Sequence, residues 1–415
     1  MPLYHIWTIG CQMNKAESER LASLFEQSGY CPTASAKEAD LIILNSCVIR
    51  QSAENKVVSK IGTLKSLKKN NPNLKIALTG CLVDSDISKL QKRFPLIDYF
   101  FKAGGMPPWK DEADITDITP LKPDVSTFIN IIQGCDNFCS YCIVPYRRGR
   151  EKSRPVDEIV NEAKTLVARG AKEIVLVGQN VDSYGHDLPD KPDLAYLLAQ
   201  INQIEGLARL RFLTNHPKDM SERLIDAIAG LDKVCEEINL PVQAGDDAIL
   251  KAMRRGYTSA QYRDLVQRIR AKAPNIAIST DLIVGFPGET EEQFNASVRL
   301  LKELRFDNTH IAAYSARTGT IASREYEDDI PPETKKERVA IIEELQGQIA
   351  AEINAELEGS VIEVLVEGRK KGKWHGRSRS GKLIFFNHNN NLLGQLVNIK
   401  IEKTSPWSLQ GILVT

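Results

Sequence analysis

Six of the eight cysteines in this 415-residue chain sit where thiols can do chemistry. Three of them, Cys135, Cys139 and Cys142, lie in GCDNFCSYC with the spacing C-x3-C-x2-C. A loop this short wraps three thiolates around one small object. A structural zinc site closes with four ligands, yet no cysteine or histidine follows at zinc-ribbon spacing, and the first candidate is the distant His186. Iron–sulfur clusters are held by thiolates, and three ligands on a four-iron cluster leave one iron open to bind something else. A [4Fe–4S] site with a vacant position is the chemistry this spacing suits.

The second set is Cys11, Cys47 and Cys81, far apart in sequence but each at the end of an apolar run: WTIGC, ADLIILNSC and ALTGC. These runs read as strands alternating with the helical stretches NKAESERLASLFEQSGY and SAENKVVSKIGTLKSLKKNNPN, and LIDYFFKAG reads as one strand more. Strand–helix–strand order favours an open parallel α/β sheet. Neighbouring parallel strands end on one edge, where such sheets bind ligands. The three thiols are therefore expected to converge by topology, as a second three-cysteine site over residues 1–118. Cys31, after a helix end, and Cys235, before a strand, read as structural. The Pro- and Asp-rich MPPWKDEADITDITPLKPDVS reads as a linker.

The C-x3-C-x2-C loop follows the first of six further strand candidates: FINIIQG, EIVLVGQN, RLRFLTN, EEINLPVQ, ISTDLIVGF and HIAAYS. Helical stretches such as PVDEIVNEAKTLVARG and TEEQFNASVRLLKELR separate them. Pro155 and Gly170 bracket the first of these helices, as capping preferences expect. Six βα units over 121–350 predict a partial (β/α)6 barrel with ligands at the C-terminal strand ends. Gln179, Asn180, Gln243 and the GFPGE turn at 285–289 all fall at such ends. After the helix PETKKERVAIIEELQGQIAAEINAEL come short strands, VIEVLVEG, GKLIFFN, QLVNIKIEK and LQGILV, which predict a small all-β barrel over 353–415.

Lys and Arg number 54, as do Asp and Glu, so any nucleic-acid surface must be local. The last segment supplies one: from 360 onward Arg369, Lys370, Lys371, Lys373, Arg377, Arg379, Lys382, Lys400 and Lys403 face only Glu363, Glu367 and Glu402. Trp374 and His375 lie inside that basic run, a mixture suited to RNA phosphates and base stacking. YRRGREKSR, with Arg147 and Arg148, is a second basic patch beside the cysteine loop. No apolar stretch approaches the ~20 residues that span a bilayer. The N-terminus has no basic segment followed by an apolar run, so a cytoplasmic protein with reduced thiols is expected.

Together, QGCDNFCSYCIVPYRRGREKSRP, the three spaced N-terminal cysteines, GCQMN, GQNVDSYG, LPVQAGDDAILKAMRRGYT, TDLIVGFPGETEEQF and YSARTGT resemble the radical S-adenosylmethionine (SAM) methylthiotransferases over the whole chain. The terminal segment resembles a TRAM domain. TNHP at 214–217 is most similar to the branch acting on N6-isopentenyladenosine beside the tRNA anticodon. QAGDD and SARTGT depart mildly from the family strings. The resemblance implies two [4Fe–4S] clusters, one on each cysteine triad. It implies cleavage of SAM at the first to a 5′-deoxyadenosyl radical, and delivery of a methylthio group from the second. It implies SAM contacts from Gln179, Gln243, Arg254, Thr280 and Gly285 to Glu289, with Arg254 on the SAM carboxylate, and a positioning role for His216. Arg147, Arg148, Arg369, Lys371, Trp374 and Arg377 would meet tRNA. An external electron donor and a monomer are expected. The same chemistry on threonylcarbamoyladenosine or on a ribosomal-protein aspartate is the nearest alternative. An iron–sulfur or zinc RNA-binding protein without catalysis is the alternative of another class.

Overall fold

The computed structural model describes residues 1–48, 51–83, 86–109 and 119–414. The centre of the expected linker, 110–118, lies outside the described residues.

The first domain is a five-stranded parallel sheet in the order Cys31–Pro32, Leu3–Thr8, Leu41–Ser46, Lys75–Gly80, Tyr99–Phe100. Every residue of the central strand LIILNS is buried, as a strand covered on both faces requires. Helices Gln12–Gln27 and Gln51–Asn70 supply the cover. The expected strand LIDYFFKAG contracts to Tyr99–Phe100, and Cys31–Pro32 forms an edge strand too short to show alternation.

The middle domain holds two three-stranded parallel sheets. One comprises Ser126–Asn130, Glu173–Val177 and Arg209–Phe212; the other comprises Glu237–Asn239, Ala277–Val284 and Asn308–Ala313. A parallel bridge between Leu210 and Val234 joins them, giving six strands in a barrel left open between the first and the sixth. Outer helices bury the largest core, and two of them begin with reciprocal caps, Thr258 with Gln261 and Thr290 with Gln293. The inside of the barrel is not filled. Closed eight-stranded barrels pack their interior with branched side chains; here Ser126, Asn239, Ala277, Ser279 and Asn308 line a cavity of about 1210 Å³. Helix Gln12–Gln27 of the first domain lies against this barrel. Met13 and Ala16 pack on Phe128, Val175, Val177 and Leu213, and Glu19 accepts from Thr127 Oγ1 at 3.2 Å.

The last domain is a closed five-stranded barrel in the order Val361–Lys370, Lys373–Arg377, Leu383–Phe386, Ser408–Val414, Leu396–Ser405. Lys373–Arg377 belongs to the run read as basic surface. Its charges mask a period of two that turns Trp374 and Gly376 inward. The small barrel docks on the N-terminal ends of the central strands, opposite the cysteine loop. The fully buried Arg209 donates to Arg377 O at 2.6 Å and Glu363 O at 3.2 Å. Arg211 donates to Ser378 O and Arg379 O, both at 2.7 Å, and pairs with Glu173 at 2.7 Å and with Glu237. No helix among the described residues is long and apolar enough to cross a membrane.

Candidate active site

Strand order brings the N-terminal triad together. Leu3–Thr8, Leu41–Ser46 and Lys75–Gly80 are adjacent, with Thr8 opposite Asn45 and Ser46 opposite Gly80, so Cys11, Cys47 and Cys81 follow on one edge. Gly10 and Gly80 sit immediately before two of them at φ of 135° and 90°, where L side chains are strained. A Cβ on Gly10 would meet Cys47 Cβ at 2.9 Å, and one on Gly80 would meet Ser46 O at 2.3 Å. The buried Asn14 clamps this edge, its Nδ2 donating to Ile9 O and Ser46 O, both at 2.9 Å.

The second triad is held by its own loop. Gly134 N donates to Gln179 Oε1 at 2.6 Å, and Gln179 Nε2 reaches Met13 of the first domain. Burial pushes the Cys135 thiol up to about 11 and the Cys142 thiol up to about 12, and the neighbouring Cys139 adds to both. Thiols so placed ionise only when a cation sits among them, which is what a metal cluster supplies. Arg255, 4 % exposed, donates from Nη1 to Cys139 Sγ at 3.3 Å and from Nη2 to Pro241 O at 2.9 Å. No three His, Cys, Asp or Glu side chains among the described residues close around a single ion. The six cysteines that line the cavity offer thiols, the donor type of iron–sulfur clusters.

All six cysteines line the one cavity. Arg148 ties the triads together: its Nε donates to Cys81 Sγ at 3.2 Å and its Nη2 to Asn14 Oδ1 at 3.1 Å. Gln179, Gln243 and His216 line the same cavity, and Gln243 adopts φ of 72°, a strained conformation of the kind kept at functional sites. His216 is 6 % exposed, and Lys218 N donates to its Nδ1 at 3.2 Å, which places the ring proton on Nε2. Nε2 has no partner. Burial, then the nearby Arg255 and Lys218 cations, holds the ring neutral, down at about 2.

Four residues expected at SAM are not among those lining this cavity. Arg254 points outward and pairs with Glu325 at 3.2 Å; its neighbour Arg255 takes the buried place. Two consecutive arginines at a helix end cannot share a side, and the sequence alone gives no sign of which turns in. Thr280 is fully buried and donates to Leu240 O at 2.9 Å, while Ser279 and Asp281 face the cavity. Glu289 folds back onto Gly285 N at 2.6 Å and pairs with Arg338 at 2.7 Å, so Gly285 and Glu289 are occupied by their own turn. Among the expected RNA contacts, Arg377 lines the cavity at its lower end and Lys371 is exposed at a hairpin tip. Arg147 is half-buried beside Arg148. Trp374 is 5 % exposed in the small-barrel core, donates to His388 O, and is covered by Arg369 at 4.5 Å. Asn14, Arg255 and the cavity-lining Trp407 are site residues that sequence reasoning missed. Asn14, inside GCQMN, and Arg255, inside LPVQAGDDAILKAMRRGYT, carried a signal there.

Comparison with known proteins agrees with this architecture. Residues 3–102 match an uncharacterized protein family, UPF0004, residues 129–301 the radical SAM superfamily, and residues 355–414 the TRAM domain. The chain is 57% identical over 414 residues to a tRNA-2-methylthio-N(6)-dimethylallyladenosine synthase of Dehalococcoides mccartyi, covering 100% of this chain and 99% of that one. Proteins of the same name from Chloroflexus aurantiacus and Carboxydothermus hydrogenoformans are 48% and 45% identical; each match covers 99% of this chain and, respectively, 91% and 99% of theirs. Among solved structures, the radical SAM methyltransferase TsrM of Kitasatospora setae, with cobalamin and a [4Fe-4S] cluster bound, superposes with a TM-score of 0.54 at 15% identity over 89% of this chain and 82% of its own. The cobalamin-dependent radical SAM enzyme OxsB gives 0.51 at 11% identity over 83% and 56%. These two likenesses are of fold. At the identities of the full-length relatives, the chain belongs to the radical SAM methylthiotransferase family, among the tRNA-2-methylthio-N(6)-dimethylallyladenosine synthases.

Proposed function

We propose that this enzyme converts N6-isopentenyladenosine at position 37, next to the tRNA anticodon, to its 2-methylthio derivative. It uses two SAM molecules and two [4Fe–4S] clusters, one held by Cys135, Cys139 and Cys142 and one by Cys11, Cys47 and Cys81. The observation that carries this reading is the pair of three-cysteine sets facing one cavity. When bound, such clusters supply the electron that splits SAM into methionine and a 5′-deoxyadenosyl radical, together with a sulfur for transfer to an adenine carbon too inert for acid–base chemistry.

The chain's own residues prepare the chamber. Arg255 and Arg148 each place a guanidinium N–H on a ligand sulfur, which stabilises its thiolate form. Gln179 holds Gly134 and the first-domain helix at once, fixing one cysteine set relative to the other. Gln243 supports a SAM contact at the opposite wall, and the Nε2–H of His216 offers a donor to SAM or to the base. The small barrel contributes the tRNA surface. An external reductant supplies the electrons, and the protein works as a monomer.

The test is nucleoside analysis of tRNA from cells lacking the protein, with complementation by cysteine variants. The 2-methylthio derivative should vanish and N6-isopentenyladenosine accumulate. Purified Cys47→Ala protein should still cleave SAM, whereas Cys139→Ala should not. Persistence of the 2-methylthio derivative, with no paralogue present, overturns the substrate. About two zinc ions per chain and no acid-labile sulfide overturn the chemistry.

A further inference from the structure

Of the four tryptophans, Trp407 alone is exposed. At 60 % it exceeds every other large hydrophobic residue among the described residues except Met1. It occupies the two-residue turn between Leu396–Ser405 and Ser408–Val414. That turn is tied down rather than loose. Asn354, 3 % exposed, donates from Nδ2 to Ser405 O at 2.8 Å and Pro406 O at 3.0 Å, and Ser405 Oγ donates to Ser408 O at 2.7 Å. The backbone is anchored while the indole stays in water. Its place is specific as well: Trp407 lines the cavity that holds all six cysteines, beside the exposed His310 on the free edge strand Asn308–Ala313. The cavity wall thus includes an exposed aromatic face beside the free edge of the barrel. At the other open edge, helix Gln12–Gln27 packs on the first strand through Met13 and Ala16.

We propose that Trp407 is a stacking platform for an unpaired nucleotide of the tRNA anticodon loop, and that the substrate nucleoside enters the barrel at the edge it borders. This rests on the reading above that the substrate is an anticodon-loop adenosine. An enzyme that reacts at C2 of adenine must take the base out of its stack. A loop nucleotide left without its neighbour gains from an aromatic face, and stacking accepts any base. The polar interior wall of Asn239, Ser279 and Asn308 suits a base with donors and acceptors along its edge.

The experiment uses full-length, anaerobically reconstituted enzyme and an anticodon stem–loop RNA carrying N6-isopentenyladenosine. Trp407→Ala should raise the Kd for this RNA about 5- to 150-fold, the equivalent of ~1–3 kcal/mol for one base–aromatic stack. Trp407→Phe should recover most of the affinity. In the unmodified enzyme, bound RNA should shield tryptophan fluorescence from acrylamide. A 4-thiouridine beside the modified adenosine should cross-link within 405–410. Unchanged affinity in Trp407→Ala, no recovery in Trp407→Phe, no shielding, or cross-links confined to helix Gln12–Gln27 would each overturn the proposal. Failure of the wild-type enzyme to modify this RNA would instead reject the substrate, because binding is read separately.

Discussion

Arg148 does what no cysteine can. It spans from the loop of one triad to Cys81 of the other, donating also to Asn14. Arg148→Ala should lower iron retention at the N-terminal triad about 10- to 100-fold, the usual cost of losing a group that hydrogen-bonds a metal ligand. Iron at Cys135, Cys139 and Cys142, and SAM cleavage without RNA, should persist; iron and sulfide assays with 5′-deoxyadenosine measurement check both. His216→Phe removes a buried donor without changing charge. It should lower kcat/KM about 5- to 15-fold, near the ~1–1.5 kcal/mol net of one neutral hydrogen bond. Because the ring is neutral throughout the working range, the shape of the pH–rate profile should not change. At this scale the cysteines were legible, since a tight loop spacing and three strand ends are features of the chain itself. Arg255, Thr280 and Glu289 were not, because which way a side chain turns at a strand or helix end is settled by packing partners far off in sequence.

The contact of helix Gln12–Gln27 with strand Ser126–Asn130 carries its own pH signature. Burial pushes the Glu19 carboxyl up to about 7, against an ordinary value of 4.5. The folded state thus holds a proton that the unfolded chain releases, so this group's contribution is complete below pH ~4.5 and is lost as pH rises through about 7. Thermal melting of wild type should fall over that window by more than that of Glu19→Gln, which cannot ionise; parallel slopes would refute the assignment. Most elements could be read from apolar runs and helix-end residues: LIILNS, EIVLV and the helix Val156–Ala168 between Pro155 and Gly170 sit where the pattern puts them. Strand Lys373–Arg377 could not. Its outward side chains are Lys373, His375 and Arg377, and charge drowned the alternation that buries Trp374.

Across the whole molecule, the order of three cores was visible in the change of rhythm along the chain, but their docking was not. Arg209 and Arg211 meet partners more than 150 residues away, and nothing local marks that. Arg211→Met leaves Glu173 buried without its cation and removes two N–H donors from the small barrel. Breaking one side of such a pair costs about 3–5 kcal/mol. The variant should melt earlier and be cleaved faster by protease between the two barrels, and adding Glu173→Gln should restore much of the loss. If Arg211→Met melts like wild type, the interface is not held by this network. The chamber itself is common ground: Cys11 and Met13 from the first domain, Gln179 and Ser279 from the second, and Arg377 and Trp407 from the third all face it. The domains are thus modular as folds but indivisible as machinery. A chimera that took residues 1–109 from an unrelated parallel-sheet protein would keep every hydrophobic core and still have no working enclosure, because the wall it replaced belongs to all three.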